Sequence, residues 1–282
     1  MKLLVCGAFG YVGSRLLERA RPDFVTLASS SSGIKGALHL DLANPQNFDF
    51  GRLDADDVVV ITAAISSPDI CANENARARQ VNVTGTCRLT DLAMQRNARV
   101  IFLSSDTVYG QQERPCDETG PCQPAGDYAQ MKHEVETVFV NEPAFKALRL
   151  SYVFSSSDKF TRYLCHCHAQ GTEAEIFEPF VRSIVHRDDV VDGILALARD
   201  WNRHPQGVFN FGGPQALSRV DYAQILQAMV WPKLRWRVVT PDETFFANRP
   251  KIINMTSPWL GRLLGRPPST LQQAALLEFA SP

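Results

Sequence analysis

The chain has no excess charge of either sign: among its 282 residues, 29 Lys and Arg stand against 30 Asp and Glu. No sequence-wide basic field is present for a nucleic acid or an anionic membrane, so a small-molecule partner is the better expectation. Long hydrophobic runs are also missing; none approaches the ~18 apolar residues of a membrane helix. Met1 leads straight into an apolar segment without a charged leader, and a soluble, cytoplasmic protein is expected. The seven cysteines are odd in number and lack CxxC spacing, which suits reduced thiols rather than a disulfide framework. Cys165, His166, Cys167 and His168 look like a metal tract. Four consecutive residues on a helix, however, point around most of its circumference and cannot close a tetrahedron alone, so no metal is expected.

What is present begins at Lys2. Leu3, Leu4 and Val5 form the apolar run of a strand covered on both faces, and Gly7, Gly10 and Gly13 follow at three-residue spacing. The first glycine permits a sharp turn, the second lets the backbone approach a pyrophosphate, and the third lets the next helix pack closely on the strand. The helix N-terminus would offer N–H groups and a positive dipole end to phosphate oxygens. Val12, Leu16 and Leu17 share one face of that helix, which stops near Pro22.

Phe24 to Ala28 reads as a second strand, followed by Ser29, Ser30, Ser31 and Ser32. An acidic residue at this strand end would favour NAD by binding its ribose hydroxyls. None is there; small hydroxyls with Lys35 nearby leave room and positive charge for the phosphate of NADP. Ala37 to Leu40 gives a third strand, closed by Asp41 and Leu42, where a carboxylate could meet the adenine amino group. Val58 to Thr62 is a central parallel strand, and Ala63 and Ala64 after it leave space beside a flat cofactor. A helical pattern from 76 to 95 contains Asn82, a poor mid-helix residue whose side chain should have a specific hydrogen-bonding task. Val100 to Leu103 is the next strand, and Ser104, Ser105, Asp106 and Thr107 follow at its carboxyl end, where ligands bind in open parallel sheets. A loop is expected from Gln111 to Gly126.

Tyr128 then begins a helix, with Lys132 one turn along on the same face. A free tyrosine has a pKa of about 10, and lowering it by about three units needs about 4 kcal/mol of differential stabilisation of the phenolate. A neighbouring ammonium and an oxidised nicotinamide could supply this together. The spacing is common by itself; its conjunction with the glycine turn and Ser105 is specific.

The stretches at 7–13, 41–42, 82–86, 104–110 and 128–132, continuing through LRLSYVF at 148–154, RSIVHRDDVVDGI at 182–194, GVFNFGG at 207–213 and RPK at 249–251, resemble the extended short-chain dehydrogenase/reductase family. Within it the likeness is nearest to reductases of dTDP-4-keto sugars. The resemblance implies an α/β fold, with a Rossmann-type doubly wound parallel sheet from residues 1–152 plus 182–212. It places a small substrate lobe in 153–181 plus 213–282. Ser105 would polarise the substrate oxygen, Tyr128 would be the acid, and Lys132 would hold the nicotinamide ribose and depress the phenol. Phe9, Tyr11, Val12, Thr62 and Tyr152 would join Gly7, Gly10, Ser29, Ser30, Asp41, Leu42, Ala63, Ala64 and Asn82 around the cofactor. Asp106, Thr107, Arg182 and Arg249 would face the substrate, the two arginines clamping a nucleotide diphosphate.

The activity implied is NADP(H)-dependent reduction of a nucleotide-activated 4-keto sugar, with NAD(H) as the other cofactor and a homodimer through the helices of Asn82 and Tyr128. Family dehydratases carry an Asp-Glu pair after the serine or threonine. Here Thr107 replaces the glutamate, and a hydroxyl cannot serve as the base for elimination. An NAD-dependent 4-epimerase uses the same residues, and a non-enzymatic NADP-binding regulatory subunit is the alternative outside enzymes.

Overall fold

A computed structural model describes residues 1–34 and 36–280; Lys35, expected near a cofactor phosphate, lies outside them. Seven strands form a wholly parallel sheet: β1 (Lys2–Cys6), β2 (Val25–Ser30), β3 (Leu38–His39), β4 (Val58–Ile61), β5 (Arg99–Ser105), β6 (Phe145–Leu150) and β7 (Val208–Phe211). Their spatial order is β7-β6-β5-β4-β1-β2-β3. The order reverses between β1 and β4, which opens a crevice beyond their carboxyl ends. Both faces are covered, so the central strands β1 and β4 are almost wholly apolar. Leu3, Val5, Val58 and Val60 pack on one side with helices Tyr11–Ala20 and Arg187–Arg199, while Leu4, Val59, Val100 and Phe102 pack on the other with Leu89, Ala93 and Val135. Each fully buried Leu or Val contributes about 1.5–3 kcal/mol.

Three expectations need correction. β2 extends through Ser29 and Ser30, because Ser29 pairs with both Cys6 and Leu38 and donates its hydroxyl to the Val5 carbonyl at 3.0 Å. The expected loop at 111–126 contains a strand, Gln112–Cys116, in a second sheet with Ile252–Met255, Val181–Ser183 and Ala216–Ser218. The expected helix at 76–95 is interrupted by a π-helical stretch, Gln80–Gly85. Gly85 lies against Leu42 so closely that a Cβ there would fall 1.6 Å from the Leu42 carbonyl oxygen.

A further apolar cluster forms away from the main sheet, where Phe154, Leu164, Tyr222, Leu226, Leu271 and Ala274 pack together with Ala174 and Ile176. The latter two belong to Glu173–Phe177, which pairs in parallel with Arg235–Val239. The tract Cys165–His168 sits on helix Lys159–Gln170, with Cys165 and His166 exposed and Cys167 buried, so the four side chains do not converge. Among the described residues Cys122, His133 and Glu136 do approach one another. The Glu136 carboxylate, however, already faces the Arg149 guanidinium at 2.7 Å, a fixed positive charge that opposes a cation.

Candidate active site

A cleft of about 1020 Å³ lies at the carboxyl ends of β1, β2, β4 and β5. All the site residues expected from the sequence line it except Ser29 and Asn82. Its floor is the glycine turn. Gly7 has φ +88°, and a Cβ there would lie 2.8 Å from both the Ala63 nitrogen and Thr62 Oγ1. At Gly13 a Cβ would lie 2.3 Å from the Gly7 carbonyl oxygen, so only glycine lets helix Tyr11–Ala20 start this close to the strand. Thr62 locks the turn by donating its hydroxyl to the Cys6 carbonyl at 2.8 Å. This cradle has the shape and the helix N-terminus that a dinucleotide pyrophosphate requires.

At one end Ser30, Ser31 and Ser32 line the wall. The Ser30 and Ser32 hydroxyls lie 2.8 Å apart. Asp41 Oδ1 accepts from the Ala43 N–H at 2.9 Å, which fixes the carboxylate's position. Asn82 stands behind the cleft: its Oδ1 accepts from the Ile65 N–H and its Nδ2 donates to the Ile65 carbonyl, both at 2.9 Å. Its task is to pin the segment after Ala64, which explains an asparagine in a helical stretch. Tyr11 donates to Ser155 Oγ at 2.8 Å and Tyr152 to Asp158 Oδ1 at 2.6 Å.

Ser105 closes β5. Its hydroxyl accepts from the Thr107 N–H at 3.2 Å and from Thr107 Oγ1 at 2.9 Å, and lies 3.4 Å from Asp106 Oδ1. Thr107 therefore orients the serine. Asp106 is buried, accepts from Ser151 Oγ at 2.8 Å and lies 3.7 Å from Arg182 Nε. Burial pushes its carboxyl up, against the Arg182 charge and the hydroxyl bonds that favour the ionised form.

Helix Asp127–Phe139 carries Tyr128 and Lys132 into the cleft. Lys132 Nζ donates to the Leu103 carbonyl at 2.8 Å and lies 5.8 Å from the Tyr128 ring centre. Burial pushes the lysine down to about 8, with Glu136 and Cys71 opposing. The expected depression of the phenol is not produced by the chain's own groups. Burial, with Cys71 and Asp106 adding to it, pushes Tyr128 well above its ordinary value. A phenol raised in this way keeps its proton at neutral pH and is a weaker acid than a free tyrosine.

Arg182 and Arg249 reach the cleft as expected, but their donors have partners. Arg182 donates to the carbonyls of Val181 and Pro250 at 2.6 and 2.7 Å, and Arg249 forks onto Asp69 at 2.8 and 2.5 Å. The sequence reading missed Asp69, Ser151 and Arg219. Arg219 directly follows Ser218, which caps its helix together with Asp221, and in sequence it looks like any solvated first-turn residue.

A family model for the RmlD substrate binding domain matches residues 1–277. The chain is 24% identical over 274 residues to UDP-glucuronic acid decarboxylase 3 of Arabidopsis thaliana, covering 86% of this chain and 79% of the relative. A dTDP-4-dehydrorhamnose reductase from Clostridium acetobutylicum superposes with a TM-score of 0.84 at 20% identity, over 99% and 98% of the two chains. The UDP-glucuronic acid 4-epimerase of Bacillus cereus, in complex with UDP-glucuronic acid and NAD, superposes at 0.81 with 20% identity, again over 99% and 98%. With the glycine cradle at the end of β1 and Ser105, Tyr128 and Lys132 on one cleft wall, the chain belongs to the RmlD substrate binding domain family and is an enzyme of the extended short-chain dehydrogenase/reductase type.

Proposed function

We propose that the protein is a reductase of a nucleotide-activated 4-keto sugar, with NADP(H) as the preferred cofactor. The observation that carries this reading is the pair of tasks at the end of β5: Ser105 and Tyr128 share the cleft, and the residue after Asp106 is Thr107, whose hydroxyl serves Ser105. A glutamate at that place could act as a base for elimination; a threonine cannot.

The glycine cradle would hold the pyrophosphate, and the wall of Ser30, Ser31 and Ser32 offers hydroxyls without a carboxylate to repel a 2′-phosphate. When bound, the reduced nicotinamide supplies the hydride. Tyr128 donates the proton to the substrate oxygen, and its raised phenol keeps that proton on at neutral pH. Ser105 hydrogen-bonds the same oxygen, held in place by Thr107. Lys132, anchored on Leu103, sets the helix turn that carries Tyr128 and would reach the nicotinamide ribose. Orienting ketone and cofactor in one cleft supplies rate beyond that of the acid.

The test is cofactor consumption when purified protein meets NADPH or NADH with a dTDP-4-keto-6-deoxyhexose. Stoichiometric oxidation, faster with NADPH, is expected. Substrate isomerised with no net oxidation would contradict the reductase and identify a 4-epimerase.

A further inference from the structure

The helix Leu271–Phe279 near the end of the chain contributes no residue to the lining of the cleft. Its acidic residue, Glu278, nevertheless reaches a loop that supports the glycine turn. Glu278 Oε2 accepts from the Ser156 N–H at 2.9 Å and from the Ser156 hydroxyl at 2.6 Å, while Oε1 lies 3.0 Å from His186 Nε2. The Glu278 and His186 side chains are only 12% and 3% exposed. Burial pushes the Glu278 carboxyl up, but the bonds from His186 and Ser156 outweigh it and hold the group down at about 2. An ionised carboxylate only accepts, so His186 Nε2 carries the proton. Charge-assisted bonds of this kind are about twice as strong as neutral ones. His186 also pairs with Phe154 in a short parallel ladder, Val153–Phe154 against Val185–His186, so the carboxylate holds the loop Ser155–Asp158 and the strand beside its start.

The same loop meets the glycine turn. Tyr11, the first residue of helix Tyr11–Ala20, lines the cleft beside Gly10 and Val12. Its hydroxyl lies 2.8 Å from Ser155 Oγ and 3.2 Å from the Val153 carbonyl. Ser155 is fully buried, accepts from the Ser157 N–H at 3.1 Å and lies 3.0 Å from Ser157 Oγ. Arg187, next to His186, donates to Ser157 Oγ at 3.2 Å, and its guanidinium carbon lies 5.1 Å from the Tyr11 ring centre. Tyr11 and Glu278 thus grip adjacent residues, Ser155 and Ser156. The N–H groups of the first helical turn are the donors that a pyrophosphate would meet, and the anchoring of Tyr11 helps to set where they stand. The far end of the loop has its own ties: Asp158 accepts from the hydroxyls of Tyr152 and Tyr222 at 2.6 and 3.0 Å, and from the Phe160 and Thr161 N–H groups at 2.9 and 3.0 Å. Releasing Ser156 is therefore felt toward Tyr11 and not beyond Asp158.

We propose that Glu278 is a positioning residue for the dinucleotide: through Ser156 and Ser155 it fixes Tyr11, and with it the helix N-terminus that would take the pyrophosphate. The helix Leu271–Phe279 then sets cofactor affinity without touching the cofactor. The inference rests on the glycine cradle being the cofactor site and goes beyond that reading by assigning part of the site's precision to a residue more than 250 positions away in the chain.

The test is calorimetric titration of the full chain with NADPH, NADH and dTDP, for the wild type, Glu278→Ala, Glu278→Gln, Tyr11→Phe and the double variant Tyr11→Phe/Glu278→Ala. NADPH affinity should fall by about threefold or more in Glu278→Ala, with part of the loss recovered in Glu278→Gln, which keeps an oxygen for Ser156. Affinity for dTDP should stay as in the wild type. Tyr11→Phe should weaken NADPH binding as well, and the double variant should lose less than the product of the two single losses, because both act through one loop. Wild-type NADPH affinity in a folded Glu278→Ala protein, equal losses for NADPH and dTDP, or fully multiplicative losses in the double variant overturn the inference while leaving the cofactor reading standing. If Glu278→Ala does not fold, Ser156→Ala takes its place, since it removes only the hydroxyl bond, and wild-type NADPH affinity there overturns the inference equally. A wild type that binds neither NADPH nor NADH overturns the cofactor reading and this inference together.

Discussion

Lys132 donates its ammonium to the Leu103 carbonyl at 2.8 Å, so the helix that carries Tyr128 is tied to the strand that carries Ser105. The tie couples the position of the acid to that of the hydroxyl it works beside. It also holds a buried lysine at about 8. An unfolded lysine titrates near 10.4, so between pH 8 and about 10.4 the unfolded chain binds a proton that the folded chain does not, and stability rises with pH across that window. Below it the contribution is absent. Lys146, also pushed down to about 8 by burial, contributes the same slope. Thiols such as Cys6 and Cys87, which burial pushes up, contribute the opposite slope. Urea unfolding from pH 7.5 to ~10.5 should therefore show a slope in Lys132→Met lower than the wild type's by up to about 1.4 kcal/mol per pH unit. Equal slopes in the two proteins would show that Lys132 keeps its ordinary proton affinity.

Substituting Tyr128 by Phe removes the proton donor and little else, since among the described residues no hydrogen bond to its hydroxyl holds the surrounding chain. Turnover should fall by about 10²–10⁴, the usual weight of a positioned acid, with NADPH affinity little changed. Full turnover in the variant would remove Tyr128 from the mechanism.

The serine wall makes a separate prediction about the cofactor. Ser30→Asp places a carboxylate at the end of β2, where it repels a 2′-phosphate and accepts from ribose hydroxyls. The ratio of kcat/KM for NADPH over NADH should fall by about tenfold or more. An unchanged ratio would mean that the adenosine end of the cofactor lies elsewhere.

Much of the cleft was legible because its signals are local. Gly7, Gly10 and Gly13 span the strand-to-helix junction, and Tyr128 and Lys132 lie one helical turn apart, so spacing alone brings each set to one place. What was not legible depends on segments far apart in the chain. The surroundings of Arg219 come from Tyr152, Phe160, Phe180 and Tyr222, and the partner of Arg249 is Asp69. Asn82 shows an intermediate case: its presence in a helical stretch signalled a hydrogen-bonding task, while the partner, Ile65, required the fold. The raised phenol of Tyr128 could not be read from spacing, which gives the distance to Lys132 but neither the ammonium's direction nor the depth of burial.

A buried pair behind the site predicts a stability pattern. Arg149 Nη2 meets Glu136 Oε2 at 2.7 Å, both side chains almost fully buried. Burial pushes the Glu136 carboxyl up, but hydrogen bonds from His133 and Arg149 outweigh it and hold it below its usual range. Either Glu136→Gln or Arg149→Met should lower unfolding free energy by about 3–5 kcal/mol, because each leaves a buried group without its partner. The double variant should lose less than the sum of the two. Additive losses in chemical denaturation would mean that the two side chains act independently.

The central claim is that a hydride reaches the sugar and stays there. The most direct measurement is transfer of deuterium from NADPH labelled at the nicotinamide C4 to a dTDP-4-keto-6-deoxyhexose, followed by mass and NMR analysis of the product. The reductase account predicts one deuterium at sugar C4 for each NADPH oxidised, with the label lost together with turnover in Tyr128→Phe. Product that is epimerised and carries no label would contradict it.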